Sequence, residues 1–402
     1  MKKNILIKMN IVFAMVILFS NMVFAAPSSD TIKVGMTSAL SGPAKDLGQS
    51  MKEGVETYFD KINAAGGVDG KKLELIALDD QYEPLLAAPN MRKLIEEEKV
   101  IAVIGNVGTP TAVVTVPIAN KEKTLLFAPF TGAGILRKSP PDRYVINLRA
   151  SYAEETATMI KGLLSIGIKP DEMAFFTQND AYGDSGYAGA MIALKAAGYT
   201  HPELLPYGRY ARNTLNIEEG LVKIISAGKP IKTIIMVGAY APIAKFIKLA
   251  KKEYPNALFL NVSFVGTDAL AADLGKDGNN VIITQVVPYF NNSLQTVIDY
   301  KNDLNKYFPN AQPGLGSLEG YIAAKLFVTG LQTAAKEKKL TREGIIDVFE
   351  NMRNIDIGIG ETISFDKNNH QALHTVWPTV LIDEKLEPLT DWSVLVKEDK
   401  KH

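Results

Sequence analysis

Residues 101–128 read IAVIGNVGTPTAVVTVPIANKEKTLLFA, and their pattern indicates the class of fold. An apolar strand over 101–105 leads into a loop of glycine, threonine and proline. A helix over 110–120 and a second apolar strand over 125–128 follow. Short apolar strands separated by helices of about 10 to 15 residues are typical of parallel sheets that are covered on both faces.

The same alternation extends over most of the chain. Before this stretch the pattern predicts a strand at 31–38, a helix at 49–63, a strand at 73–78 and a helix at 84–98. After YVINLRASY (144–152) it predicts helices at 154–166, 185–197, 217–226 and 243–253, and strands at 173–177, 233–237 and 258–265. Because no Pro/Gly/Ser-rich linker separates the two series, we predict two doubly wound α/β lobes joined by strands that cross between them.

The first 25 residues are typical of a secretory signal peptide that is cleaved near Ala25. Lys2, Lys3 and Lys8 precede an apolar run over 11–24, which is shorter than the ~20 residues needed to span a bilayer. Removing these three lysines leaves 41 of 44 basic residues against 44 acidic ones, a net charge of −3, which does not suggest a nucleic-acid partner. With no cysteine for a disulfide or a lipid anchor, we expect a soluble periplasmic monomer.

The sequence offers no catalytic, metal or cofactor site. The GDSG stretch at 183–186 has no accompanying histidine and is interpreted as the turn into a helix. His370 and His374 have the spacing of metal ligands on a helix, but no glutamate follows the first, and QALHTVWPTV leads into a strand. The glycine clusters lack both phosphate-binding spacings. A secreted hydrolase would need a nucleophile or metal that these residues do not provide.

The loop after the strand at 101–105 is a candidate binding site. In open parallel sheets ligands lie beyond the carboxyl ends of the strands, where the next helix offers unpaired N–H groups. Gly108 allows close approach and Thr109 offers a hydroxyl, so the loop suits a small anion such as a carboxylate. Alternatively, Thr109 only caps the helix, with Pro110 in its first position. Similar loops at 128–134, 179–186, 237–242 and 261–266 would line the same cleft if the two lobes face each other.

Three stretches resemble a known family. They are GMTSALSGPAKDLGQSMKEGVETYFDKINAAGGVDGKKLELIALDDQYEP at 35–84, IGNVGTPTA at 104–112 and AYGDSG at 181–186. Together they are similar to the type I periplasmic binding proteins of branched-chain amino acid ABC transporters. The resemblance implies a venus-flytrap protein that closes on a small ligand and delivers it to a membrane permease. A ligand-sensing module that feeds a receptor is the alternative within this class.

The resemblance also implies lobe boundaries and ligand contacts. The lobes would comprise 27–148 with 284–362, and 149–283 with 363–402, joined by three crossings. In leucine-type members a serine or threonine at the place of Thr109, beside Gly108, binds the ligand carboxylate. The further contacts implied here are Thr131, Gly132 and Ala133 from the next loop, and Tyr182 and Tyr240 from the other lobe.

Two departures from the family leave the ligand open. Ser263 stands where leucine binders have the glutamate that takes the ligand ammonium, and Leu47 stands where they have an aromatic residue. Either another acid has moved into the cleft, with Glu319 the first candidate and Asp268 the second, or the ligand has no ammonium. Glu319 can equally be a solvated residue near a helix start. The sequence slightly favours a small carboxylate or amide with an apolar body over a hydrophobic amino acid.

Overall fold

The chain forms two α/β lobes, each built on its own sheet. The computed structural model describes residues 31–289 and 293–396. The signal peptide predicted at 1–25 lies outside this range. In the described part of the chain, no helix combines the length and apolarity needed to cross a membrane.

The first lobe contains a five-stranded sheet with the strand order β2-β1-β3-β4-β5. Its strands are β1 (Thr31–Ser38), β2 (Lys72–Asp79), β3 (Ala102–Ile104), β4 (Leu125–Phe127) and β5 (Val145–Ile146). β1, β3, β4 and β5 pair in parallel. The connecting helices are α1 (Lys45–Ala64), α2 (Pro84–Arg92) and α3 (Thr109–Lys121). Every residue of β3 and β4 is buried and apolar, as expected for a sheet covered on both faces.

The second lobe contains a seven-stranded sheet with the order β14-β13-β10-β9-β8-β6-β7. Its strands are β6 (Met173–Gln178), β7 (Tyr207–Tyr210), β8 (Thr233–Val237), β9 (Leu258–Asn261), β10 (Val281–Gln285), β13 (Trp377–Ile382) and β14 (Lys385–Pro388). Its helices are α4 (Tyr152–Ser165), α5 (Ala181–Ala196), α6 (Glu218–Ser226), α7 (Tyr240–Glu253) and α8 (Thr267–Leu274). β6 to β10 pair in parallel, while β13 and β14 add an antiparallel edge.

After β10 the chain returns to the first lobe. There it forms α9 (Gln295–Tyr307), α10 (Leu315–Lys336), α11 (Arg342–Asn351) and the small β11 (Ile355–Asp356) and β12 (Thr362–Ile363) pair. α10 packs along α1, and β13 then lies in the second sheet. Two crossing segments pair side by side, with the Asn147 N–H donating to the His370 carbonyl at 2.7 Å. The two lobes confirm the predicted fold class, whereas the exact lobe boundaries stay a prediction.

Some predicted elements differ from the structure at their ends, and one strand was missed. α5 begins at Ala181 instead of residue 185 because the Asp180 side chain caps it, accepting from the Tyr182 N–H at 3.0 Å. The strand predicted over 258–265 ends at Asn261, since a 3₁₀ turn follows and ends at Gly266 with φ +84°. β7 was missed because its four residues are too few to show a period.

Candidate functional site

Thr109 and Thr131 lie together at the carboxyl ends of β3 and β4. Their hydroxyls are 2.7 Å apart, and both side chains are fully buried. The Thr131 hydroxyl also donates toward the Tyr152 hydroxyl at 3.3 Å, and the Ala133 N–H donates to Thr131 Oγ1 at 3.3 Å. The interpretation of Thr109 as a helix cap is wrong, because Gly108 occupies the cap position and no side chain caps α3. Both hydroxyls therefore already have partners in the folded chain.

The glycine at 108 is required by a neighbouring ring. Gly108 has φ +105°, and a Cβ placed there would lie 2.2 Å from Cε2 of Tyr82. Gly132 is similar, since a Cβ there would lie 2.7 Å from the backbone nitrogen of Tyr152. The sequence predicts that another group approaches the backbone closely at Gly108. In this structure that group is the Tyr82 ring.

Phe264 packs into a cluster of aromatic rings that come from both lobes. Its ring centroid lies 4.5 Å from that of Tyr182, 5.5 Å from that of Phe130 and 5.9 Å from that of Tyr82. Tyr182 also lies 5.4 Å from the Tyr152 ring, and its hydroxyl donates to the Gly238 carbonyl at 3.3 Å. Because Phe264 comes from the second lobe and Phe130 and Tyr82 from the first, this cluster holds the two lobes against each other.

A cavity of about 510 Å³ adjoins this cluster between the lobes. Its walls are contributed by the starts of α1, α8 and α10, the segment after β10, and the residues around Arg149 and Ser263. Of the residues predicted to bind ligand, Ser263 and Glu319 line this cavity. Leu47 lines it too, and a Cβ at Gly266 would lie 2.7 Å from Leu47 and 3.2 Å from Tyr240. Tyr240 thus lies behind the cavity wall.

Arg149 and Glu319 form a buried, two-pronged ion pair on the cavity wall. Arg149 Nε and Nη2 donate to the two Glu319 oxygens at 2.8 and 2.7 Å, and both side chains are at most 4 % exposed. Arg149 Nη1 donates to Ser263 Oγ at 3.2 Å, and its guanidinium lies 4.0 Å from the Phe130 ring centroid. The interpretation of Glu319 as a solvated residue is therefore wrong. Sequence reasoning missed Arg149, although a lone arginine in the apolar stretch YVINLRA was a usable signal.

Glu155 is a second buried acid near the cavity, and the sequence pattern did not predict it. It lies next to Ser263. The Glu155 carboxylate accepts from the Ser263 N–H at 2.7 Å, from its hydroxyl at 3.1 Å and from the Thr284 hydroxyl at 2.6 Å. Complete burial raises the pKa of Glu155 to about 7, although the nearby Arg149 charge and these hydrogen bonds oppose the rise. Asp268, the second candidate acid, lines the cavity and accepts from the Leu315 N–H at 3.0 Å.

The two histidines considered as metal ligands have other partners. His370 is buried, with Nδ1 2.9 Å from the Val145 carbonyl oxygen. His374 Nδ1 lies 2.7 Å from Glu154, which raises the pKa of the imidazole. Ser185 of the GDSG stretch lies within α5, where its hydroxyl accepts from the Gly134 N–H at 3.3 Å.

Two parallel-sheet lobes with a cavity between them define a class of ligand-binding protein. A family model described as periplasmic binding protein matches residues 31–385, and the chain belongs to this family. It is 27 % identical over 369 residues to a Leu/Ile/Val-binding protein homolog 7 of Brucella abortus, covering 86 % of this chain and 88 % of that one. It is 25 % identical to the Leu/Ile/Val-binding protein of Escherichia coli K12, covering 72 % and 91 %.

A solved structure agrees with these relatives. A possible leucine/isoleucine/valine-binding protein from Rhodopirellula baltica SH 1 superposes with a TM-score of 0.88 at 43 % identity. The match covers 92 % of this chain and 98 % of that one. The family consists of solute-binding proteins, so the chain is a binding protein and not an enzyme.

Proposed function

We propose that this chain is the extracytoplasmic binding component of an ABC importer. It is exported, released into the periplasm by cleavage near Ala25, and delivers a small ligand to a membrane permease. Membership of a periplasmic binding protein family and the names of its relatives support this proposal. A strain that lacks the gene should lose uptake of the ligand, and unchanged uptake would contradict the role in import.

The proposed ligand is a hydrophobic amino acid of the leucine, isoleucine and valine type. The observation that carries this choice is the charge of the cavity wall, whose described residues include the acids Asp46, Glu53, Asp268 and Glu319 but only one basic side chain, Arg149. An ammonium gains from this surplus of negative charge, whereas a ligand that has only a carboxylate meets repulsion. The cavity therefore favours an amino acid over the deaminated acid that Ser263 alone suggested.

Calorimetric titration of ligand-stripped protein tests the ligand class. We expect micromolar binding of L-leucine, L-isoleucine or L-valine, and much weaker binding of 4-methyl-2-oxopentanoate, which keeps the carboxylate and the apolar body of leucine but lacks its ammonium. 4-Methylpentanamide serves as the neutral control. Tight binding of the oxo acid or the amide, with no binding of the amino acids, would contradict the proposed class and restore a small organic acid or amide as the ligand.

A further inference from the structure

Arg149 lines the interlobe cavity and carries hydrogen-bond donors that no described residue accepts from. A guanidinium carries five N–H groups, and Arg149 uses one on each nitrogen for Glu319 and Ser263. The second N–H of Nη1 and that of Nη2 have no acceptor among residues 31–289 and 293–396. We propose that Arg149 binds the α-carboxylate of the ligand while Glu319 takes its ammonium. This inference rests on the proposed amino acid ligand.

The surroundings of Arg149 suit the capture of a carboxylate. The side chain is 1 % exposed, lies against Phe130 and lines the cavity. A charge-assisted hydrogen bond is stronger in such an enclosed place than in water, and a planar guanidinium matches the geometry of a carboxylate. The Glu319 pair fixes the side chain before any ligand arrives, so little ordering is needed on binding.

The pair with Glu319 also matches both ends of an amino acid. Arg149 and Glu319 lie side by side on the wall, so a ligand that carries a carboxylate and an ammonium on adjacent atoms can contact both. The apolar part of the ligand then faces Leu47, Val286 and Val287 on the same wall. An anion without an ammonium would satisfy Arg149 but leave the carboxylate of Glu319 close to a second negative charge.

Thr109 and Thr131 form the alternative binding site for the ligand carboxylate. Their two hydroxyls already bond each other at 2.7 Å, and neither threonine is among the described residues that line the cavity. Both threonines are without exposure to solvent, whereas Arg149 is one of the residues that line the cavity. This difference in position favours Arg149.

Calorimetry with L-leucine and matched variants tests the assignment. We expect Arg149→Lys, which keeps the charge but loses the planar fork, to weaken binding by about ten- to a hundredfold. The paired variant Arg149→Gln with Glu319→Gln removes both charges together, leaves neither one unpaired, and should weaken binding at least as much. Arg143→Lys makes the same change at an arginine that pairs with Glu350 and Asp347 away from the cavity, and should change affinity less than about twofold.

The Thr109→Val variant shows whether Thr109 or Arg149 binds the ligand carboxylate. The loss of affinity should be smaller in Thr109→Val than in Arg149→Lys, with thermal melts showing that each variant is folded. A larger loss in Thr109→Val, or wild-type affinity in Arg149→Lys, would overturn the assignment. A crystal structure of the wild-type protein with L-leucine decides the same question without any variant, because the carboxylate must lie on Arg149 and not on Thr109. Failure of the wild-type protein to bind any hydrophobic amino acid would instead refute the proposed ligand class, and the inference with it.

Discussion

Glu155 is a carboxylic acid with no exposure to solvent, held by Ser263 and Thr284 beneath the cleft. Burial raises its pKa from 4.5 to about 7, so the folded state holds this proton more tightly than the unfolded state. The stabilisation is complete below the unfolded pKa and is lost as the pH rises through the folded pKa. Asp80, which accepts from the Thr37 hydroxyl and the Tyr82 N–H, behaves in the same way, with a pKa of about 7.

We predict that the free energy of unfolding falls as the pH rises from about 4.5 to 7, and that Glu155→Gln reduces this fall. The glutamine can accept from the Ser263 N–H and donate to its hydroxyl but has no proton to lose. Glu155→Gln should make the fall in the free energy of unfolding smaller by about 1 to 3 kcal/mol. Denaturant titrations at several pH values measure this difference. Glu97→Gln, at an exposed position, is the control and should leave the fall unchanged. An equal fall in the wild type and Glu155→Gln would contradict the prediction.

Among the helices, α1 and α10 are in close backbone contact at two glycines. A Cβ at Gly54 of α1 would lie 1.9 Å from the Ser317 carbonyl oxygen, and one at Gly320 of α10 would lie 2.3 Å from that of Met51. Such contact brings the two backbones together and places the start of each helix on the cavity wall. The helical pattern of α1 is visible in the sequence, but the need for glycine at position 54 depends on a helix more than 250 residues further along.

We predict that Gly54→Ala lowers the free energy of unfolding by about 1 to 3 kcal/mol, because the methyl group forces the two helices apart. In an isolated helix the same change would be stabilising by about 1 kcal/mol, so the sign itself reports the contact. Gly134→Ala is the matched control, since a Cβ there has no neighbour within 4 Å, and it should change stability by less than about 0.5 kcal/mol. A more stable Gly54→Ala protein would show that the helices are not in close contact.

In the molecule as a whole, a set of polar contacts links the two lobes on the side of α2. Arg212 of the second lobe bonds Glu83 of the first at 2.6 Å and Asp180 of its own lobe at 3.1 Å. Asn213 adds a hydrogen bond to Glu83 at 2.7 Å, and the Gln178 amide donates to the Tyr82 hydroxyl at 3.2 Å. Because the proposed ligand lies between the lobes, its contacts and these contacts require the same closed conformation, and lobe closure and ligand binding are expected to share free energy.

We predict that L-leucine lowers the radius of gyration in solution X-ray scattering, as expected if the ligand closes the lobes. In Arg212→Met the half-maximal change should require about two- to fivefold more leucine, because a partly exposed ion pair contributes up to about 1 kcal/mol. Arg209→Met is the control, since Arg209 pairs with Asp184 inside one lobe, and it should match the wild type. Unchanged scattering at saturating leucine would argue against closure, and an equal shift in both variants would exclude the contact between lobes as its cause.

The alternation of strands and helices, and the two-lobed fold class that follows from it, can be predicted from the sequence alone. Segments such as 101–128 carry their own periodicity, turn residues and length, so strands β3 and β4 and helix α3 are visible locally. Ser263 could be named because a strand end and the family resemblance point to it, and Glu319 because the missing family glutamate calls for another acid; both line the cavity. The ends of elements are less well predicted by the sequence. At Ala181 the preceding Asp180 favours the start of a helix, whereas two nearby glycines disfavour helix.

The chemistry of the cavity, in contrast, depends on contacts between distant parts of the chain. Arg149 meets Glu319 across 170 residues, and Ser263 meets Glu155 across 108. A sequence pattern shows that a residue is to be buried or exposed, but not which side chain will face it, because that depends on how the two lobes close. For the same reason nothing in the local sequence shows that Phe264 of the second lobe packs against Phe130 of the first. A charge in a closed cleft is stable only with a partner, and the fold supplies that partner from a distant part of the chain.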